Sequence, residues 1–138
     1  MDPQRQAVLA EAERWLKTPY HHMARVRGTG VDCLTLLVEV YQRAGIVGPI
    51  EVPFYRPDFM CHRDDETYLE GLLAHGREVA IPEPADVVLY KWGRVFAHAG
   101  IVVGWPQIIH ADPKNGVIRG DGLQGRLGGR PIKFISPF

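Results

Sequence analysis

The sequence predicts a single α+β domain, with helices in its first half and an antiparallel sheet in its second. Two observations carry that expectation. Up to Leu73 the apolar residues recur at helical spacing, whereas from Val87 onward they gather in short runs separated by glycine, proline and asparagine turns. Helices followed by a strand meander make an α+β domain rather than an alternating α/β one. A chain of 138 residues holds one core of ordinary size, so residues 1–138 are read as one unit.

Each element has its own local signal. Asp2 can cap a helix with Pro3 at its first position, and Val8, Leu9, Ala12, Trp15 and Leu16 then share one face. Thr18-Pro19 ends it, because proline disfavours helical geometry in the residue before it. Between Cys33 and Ala44 apolar residues cover most of the helical circumference, as in a buried central helix, with Asp32 as N-cap and Gly45 as stop. Residues 46–63, with Pro49, Pro53 and Pro57, read as loop, and 65–75 as a shorter helix turning Tyr68, Leu69, Leu72 and Leu73 inward. Strands follow at 87–90, 97–103 and 108–111. Asn115-Gly116 leads as a hairpin into a strand at 117–119, and a last strand is expected at 131–135.

Sixteen basic residues balance sixteen acidic ones, giving a formal net charge of zero. A nucleic-acid binder or a polybasic membrane-surface module would carry a basic excess. The N-terminus, Met1-Asp2-Pro3-Gln4-Arg5-Gln6, has no apolar run behind it, so the expectation is cytoplasmic synthesis without a signal peptide. The two cysteines, Cys33 and Cys61, do not make a secreted disulfide framework.

Cys33 is the informative residue. At the first turn of a helix its thiolate would face the positive end of the helix dipole, which lowers a thiol pKa. A lone cysteine is nevertheless more often a buried structural residue. The histidines favour chemistry: His98 opens one strand and His110 lies in the next, where antiparallel pairing can bring the imidazoles side by side. One could then act as base and the other orient it. Satisfaction by backbone partners is the plainer alternative. His21-His22, in a loop near Cys33, read as solvent-exposed or as lining a groove; Trp92 and Trp105, in turns beside the His98 strand, read as a binding rim or as covers of a core edge.

The order Thr18-Pro19-Tyr20, Gly30-Val31-Asp32-Cys33, Asp86-Val87-Val88, His98-Ala99-Gly100-Ile101 and Ile109-His110-Ala111 resembles the NlpC/p60 family of papain-like peptidases, over most of the chain from Thr18 to about Val117. The resemblance implies a papain-like fold and a triad of Cys33 as nucleophile, His98 as general base and His110 as orienting residue. It implies that the Tyr20 hydroxyl sits beside the nucleophile and helps hold an oxyanion, and that Asp32 either caps the helix or also meets a substrate amino group. It implies no cofactor, and as substrate the peptidoglycan stem peptide, cut between D-glutamate and the diamino acid. Delivery to the wall by a larger assembly, as with phage tail-tip peptidases, would reconcile such a substrate with the polar N-terminus. On this reading a thiolate–imidazolium pair sets the pH range of activity, which falls on either side as the pair gains or loses a proton.

Two departures stand out. Leu34-Thr35 follow the cysteine where the family has small residues, and Ala85 precedes Asp86 where the family has glycine. The first bears on substrate choice and the second on a turn. Three rivals stand beside the peptidase: an amidase or acyltransferase using the same triad, a catalytically silent assembly protein, and a zinc module built from Cys33, Cys61, His62, His98 and His110. The zinc module lacks any Cys-x-x-Cys or His-x-x-x-His spacing. The residue that orients His98 is left open among His110, Asp112 and Asn115.

Overall fold

The computed structural model describes residues 1–62 and 64–138. Helix α1 spans Pro3–Arg14 and helix α2 spans Cys33–Arg43, with a two-stranded ribbon, β1 (Arg25–Val26) and β2 (Gly30–Val31), between them. Helix α3 covers Thr67–Leu73, shorter at both ends than the sequence suggests. The second half builds β3 (Arg77–Val79), β4 (Val87–Trp92), β5 (Val95–Gly104), β6 (Gln107–Asp112), β7 (Gly116–Asp121) and β8 (Ile132–Ser136). The fold is α+β, as expected.

The sheet order is β3-β8-β4-β5-β6-β7, every pairing antiparallel. Strands β4 to β7 form the expected meander. The last strand, however, returns to pair with β4 and interposes itself before β3, a strand the sequence did not announce. The Asn115-Gly116 hairpin is present with a three-residue loop, since Asp112 pairs with Gly116.

The helices cover one face of the sheet. Val87, Leu89, Ala99, Ile101, Ile109 and Ala111 join Leu36, Leu37 and Val40 of α2 and Val8, Ala12 and Trp15 of α1 in the main core. Leu36, Val40 and Ile101 are almost completely buried, each contributing about 1.5–3 kcal/mol of hydrophobic stabilisation. A smaller cluster of Val88, Tyr90, Val102, Ile108 and Leu127 lies on the other face. Trp105 packs there edge-on against Phe134, as a cover of a core edge. Leu73, expected inward, is 39% exposed because α3 contributes only Tyr68 to the buried set.

Two buried polar contacts fix the helices to the sheet. Arg5 of α1 donates to Asp86 at 2.9 Å and to the Pro84 carbonyl at 2.8 Å. The Tyr41 hydroxyl of α2 donates to the Ala85 carbonyl at 2.6 Å. Ala85 takes φ 77°, the left-handed conformation in which glycine is at home, so the alanine noted there adopts a glycine-like turn at a steric cost.

Between α2 and α3 the proline-bearing stretch 47–58 has no helix or strand and lies across the structure as a strap. Hydrogen bonds tie it down, two of them to its own carbonyls. The Ile50 carbonyl accepts from Arg25 at 3.1 Å, and the Tyr55 carbonyl accepts from His22 Nε2 at 2.7 Å.

Candidate active site

Asp32 starts α2 and fixes Cys33 at its first position. Its Oδ1 accepts from the backbone N–H of Leu34 at 3.0 Å and of Thr35 at 2.9 Å, while Thr35 Oγ1 accepts from the Asp32 N–H at 2.9 Å. This reciprocal capping box satisfies N–H groups that a helix start otherwise leaves open. Thr35, one of the two departures, thus has a capping role. The other carboxylate oxygen of Asp32 accepts from the Met23 N–H at 2.7 Å and from the Tyr55 hydroxyl. With these partners the carboxylate is held in place at 2% exposure.

The thiol of Cys33 lies against β5 on both sides of His98. Its Sγ donates to the Ala97 carbonyl at 3.6 Å, and the Ala99 N–H also points to it. Above it the Tyr68 hydroxyl donates to Sγ at 3.9 Å. Cys33 is 8% exposed, covered by a file of aromatic rings that runs from Tyr68 through Phe59 and Tyr55 to His22.

His98 and His110 meet as the strand pattern predicts. His98 Nε2 and His110 Nδ1 are 3.0 Å apart, sharing one proton in a hydrogen bond, with the rings nearly perpendicular. Asp112 and Asn115, the other candidates for orienting His98, instead bond each other in the β6–β7 turn. Gly100 makes room for the pair: a Cβ there would come within 3.2 Å of the His110 Cβ. Trp92 lies 5.5 Å from the His98 ring and carries the Arg130 guanidinium 3.5 Å over its own face.

The structure therefore brings Cys33 to the strand position of His98, and His98 to His110. It does not join Cys33 to His98 by a hydrogen bond; among the described residues the Nδ1 of His98 has no protein partner.

The electrostatics differ from the sequence expectation. Burial first, and the Asp32 carboxylate second, push the Cys33 thiol up to about 12, against the smaller lowering by Tyr68 and backbone N–H groups. Burial, followed by repulsion from His110, holds His98 down to about 3. Burial also lowers His110. The expected thiolate–imidazolium pair is thus replaced by a neutral thiol and neutral imidazoles, because desolvation outweighs the helix dipole under the aromatic cover. Tyr20, half-buried and bridged to Val31, keeps its hydroxyl proton for the same reason: burial, Cys33 and Asp32 all raise its pKa.

Tyr55 and Tyr68 escape the sequence reading as site residues, and His22 reads there only as exposed or as lining a groove. Tyr68 announced itself only as an inward helix position, and Tyr55 sits in a stretch without periodicity. His22 is not a free loop histidine; it braces Tyr55. Cys61 is exposed and unpaired, and His62 bonds Asp58 at 2.9 Å. Among the described residues no three His, Cys, Asp or Glu side chains gather as metal ligands, so the zinc reading lacks its donor set. No helix among the described residues is long and apolar enough to cross a membrane.

No family model and no curated protein matches the sequence. Solved structures do. The NlpC/p60 domain of the peptidoglycan hydrolase SagA superposes with a TM-score of 0.64 at 22% identity, over 96% of this chain and 97% of that one. NlpC1 from Trichomonas vaginalis gives 0.65 at 20% identity, over 97% of this chain but 43% of its own. The peptidoglycan hydrolase RipB from Mycobacterium tuberculosis gives 0.65 at 17%, over 97% of this chain and 64% of that protein. The chain thus spans nearly all of one neighbour and less than two thirds of the other two. At such identities the likeness is one of architecture: helices laid on one face of an antiparallel sheet in the NlpC/p60 fold.

Proposed function

We propose that the protein is a cysteine hydrolase cutting amide bonds in peptidoglycan stem peptides, with Cys33 as nucleophile, His98 as base and His110 as the group that orients it. One observation carries the reading: Sγ rests on the backbone flanking His98, while His98 spends Nε2 on His110 and keeps Nδ1 free. With Nε2–H donating to His110, the Nδ1 lone pair is the acceptor for the thiol proton. Sγ then attacks the amide carbonyl, and the oxyanion has the Cys33 N–H and the protonated Tyr20 hydroxyl as donors. His98 returns the proton to the leaving amine, and water, deprotonated by the same nitrogen, releases the acyl group from sulfur. Cleavage between D-glutamate and the diamino acid, and carriage to the wall by a phage tail or similar assembly, belong to the same proposal and follow from the family resemblance. Peptidoglycan hydrolases among the structural neighbours support the substrate class.

The test is incubation with L-alanyl-γ-D-glutamyl-diaminopimelate beside a Cys33→Ala control, with products read by mass spectrometry. Diaminopimelate released by wild type alone is the expected result; no release at any pH between 5 and 9 sinks the substrate assignment. A second reading, a silent assembly protein on the same fold, draws on the covered, protonated thiol. It requires that Cys33 stay less reactive than the exposed Cys61 even with the stem peptide bound.

A further inference from the structure

Beside Cys33 lies a cavity of about 360 Å³, between the strap, α2 and α3. Leu34 and Val38 of α2, Phe54 of the strap, Phe59, and Tyr68 and Leu72 of α3 make its walls. Its position relative to the nucleophile is fixed by two of these. Leu34 is the residue after Cys33, and Tyr68 is the residue whose hydroxyl touches Sγ. Two of its walls are thus direct neighbours of the thiol, one along the chain and one through a hydrogen bond.

Its chemistry does not suit a stem peptide, which presents carboxylates, amines and amides. Among the described residues no lysine or arginine lines it, and most of its lining is apolar. What it offers is aliphatic and aromatic surface, at a size typical of small-molecule pockets. At about 30 Å³ for each water-sized group, the volume corresponds to about a dozen heavy atoms. A straight chain of six to ten carbons has that size, and its apolar surface matches the aliphatic and aromatic walls.

We propose that this cavity receives the neutral aliphatic chain of an acyl ester or amide whose carbonyl is attacked by Cys33. The step balances without any further reactant than water. The C–S bond forms as the bond to the leaving alkoxide or amine breaks, and the thiol proton passes through His98 to the leaving group. Water then forms the C–O bond of the free acid, and sulfur takes its proton back. The inference rests on Cys33 as nucleophile, as above, and not on the peptide substrate. Leu34, where the family has a small residue, is then a wall that turns the site toward apolar acyl groups.

Gly71 gives a clean test, because it lines the cavity while a Cβ built on it meets nothing within 4 Å. Gly71→Trp should therefore fill the cavity without strain in α3. Two measurements apply. In the first, octanamide is titrated into Cys33→Ala protein and the methyl resonances of Leu34 and Leu72 are followed by NMR. Saturable shifts are expected, and their loss in Cys33→Ala/Gly71→Trp. In the second, acylation of Cys33 by p-nitrophenyl acetate and octanoate is timed by intact mass in Cys61→Ser protein, which lacks the exposed competing thiol. Octanoate should react about tenfold faster or more, as expected when several methylenes are buried, and Gly71→Trp should erase that preference, so that the two esters react at similar rates. Absent shifts, shifts indifferent to Gly71→Trp, or equal rates for the two esters would overturn the proposal. Acylation by neither ester would overturn the acyl-transfer step proposed here, while Cys33 as nucleophile would stand or fall on the stem-peptide assay; octanamide shifts would then establish a binding pocket alone. Loss of stem-peptide cleavage touches neither measurement, so the two readings fail separately.

Discussion

At Cys33 two opposing influences meet, and their relative size decides the state of the thiol. The helix start and the Tyr68 hydroxyl favour the thiolate, while burial and the Asp32 carboxylate disfavour it and win. Asp32→Asn keeps a side-chain acceptor at the N-cap and removes the charge, so the thiol pKa should fall from its wild-type value. Absorbance of the thiolate near 240 nm across a pH titration, with Cys61→Ser as background, checks this; an unchanged midpoint would mean that Asp32 acts through capping alone. The same shifts set a stability profile. An unfolded imidazole binds its proton near 6.5, whereas folded His98 does so near 3. Between those values the unfolded chain holds more protons, so stability rises with pH and the contribution is complete above 6.5. An unfolded thiol loses its proton near 8.5, and folded Cys33 near 12. There the folded chain holds more protons, so stability falls as pH rises through that range. Denaturant midpoints measured from pH 4 to 10 should therefore peak between about 6.5 and 8.5. A His98→Gln variant should shrink the acidic limb, leaving the part that buried His110 contributes.

The elements carry strain and close fits that position the site. Lys17, just past α1, is exposed and held at φ 72°. A non-glycine residue there costs about 1–2 kcal/mol, partly offset by the extra freedom glycine gives the unfolded chain. Lys17→Gly should raise stability by about 0.5–1 kcal/mol, read as a shift in the urea midpoint at constant slope. Gly116 is the opposite case. It has φ 77°, and a Cβ there would stand 2.5 Å from the Thr18 carbonyl. That carbonyl accepts from the Val117 N–H at 2.9 Å, and Lys17 donates to the Val117 carbonyl at 2.9 Å. These bonds lash the segment leading to Tyr20 onto β7. Gly116→Ala should cost about 2 kcal/mol or more and slow cleavage by displacing Tyr20; a stability within 0.5 kcal/mol of wild type would show that the turn yields.

Across the whole molecule, the strap makes the covered state. It contacts α2 through Tyr55 and Asp32 and the first loop through His22 and Arg25, with no strand or helix of its own to hold it. Tyr68, which touches Sγ, stands in one file of rings with Phe59 and Tyr55, so the thiol's reactivity is expected to report the strap's position. Iodoacetamide at pH 8 should modify the exposed Cys61 first and Cys33 much later. Tyr55→Ala should speed modification of Cys33 about tenfold while leaving Cys61 unchanged, by peptide mass mapping over time; equal rates for Cys33 in both proteins would place the barrier at Tyr68 and not at the strap.

By itself the sequence determined the helix-to-sheet division, the start of α2 at Asp32-Cys33 and the meeting of His98 with His110. Each follows from short-range rules: helical period, capping chemistry, and the alternation that puts His98 and His110 at facing ends of neighbouring strands. Only the tertiary structure decided where β8 inserts, that Arg77–Val79 pairs with it, and what lies on the thiol. Strand order depends on which edge offers the better-buried partner, and three residues with an exposed face carry no period to read. The ionisation of Cys33 belongs to the same class. The side chains that shield it come from 23 residues beyond Asp32 at Tyr55 and from 35 residues beyond Cys33 at Tyr68. Desolvation is a sum over everything packed around a group, whatever its place in the chain, whereas the helix dipole is fixed by the helix itself. The local effect could be read from the order of residues; the one that prevails could not.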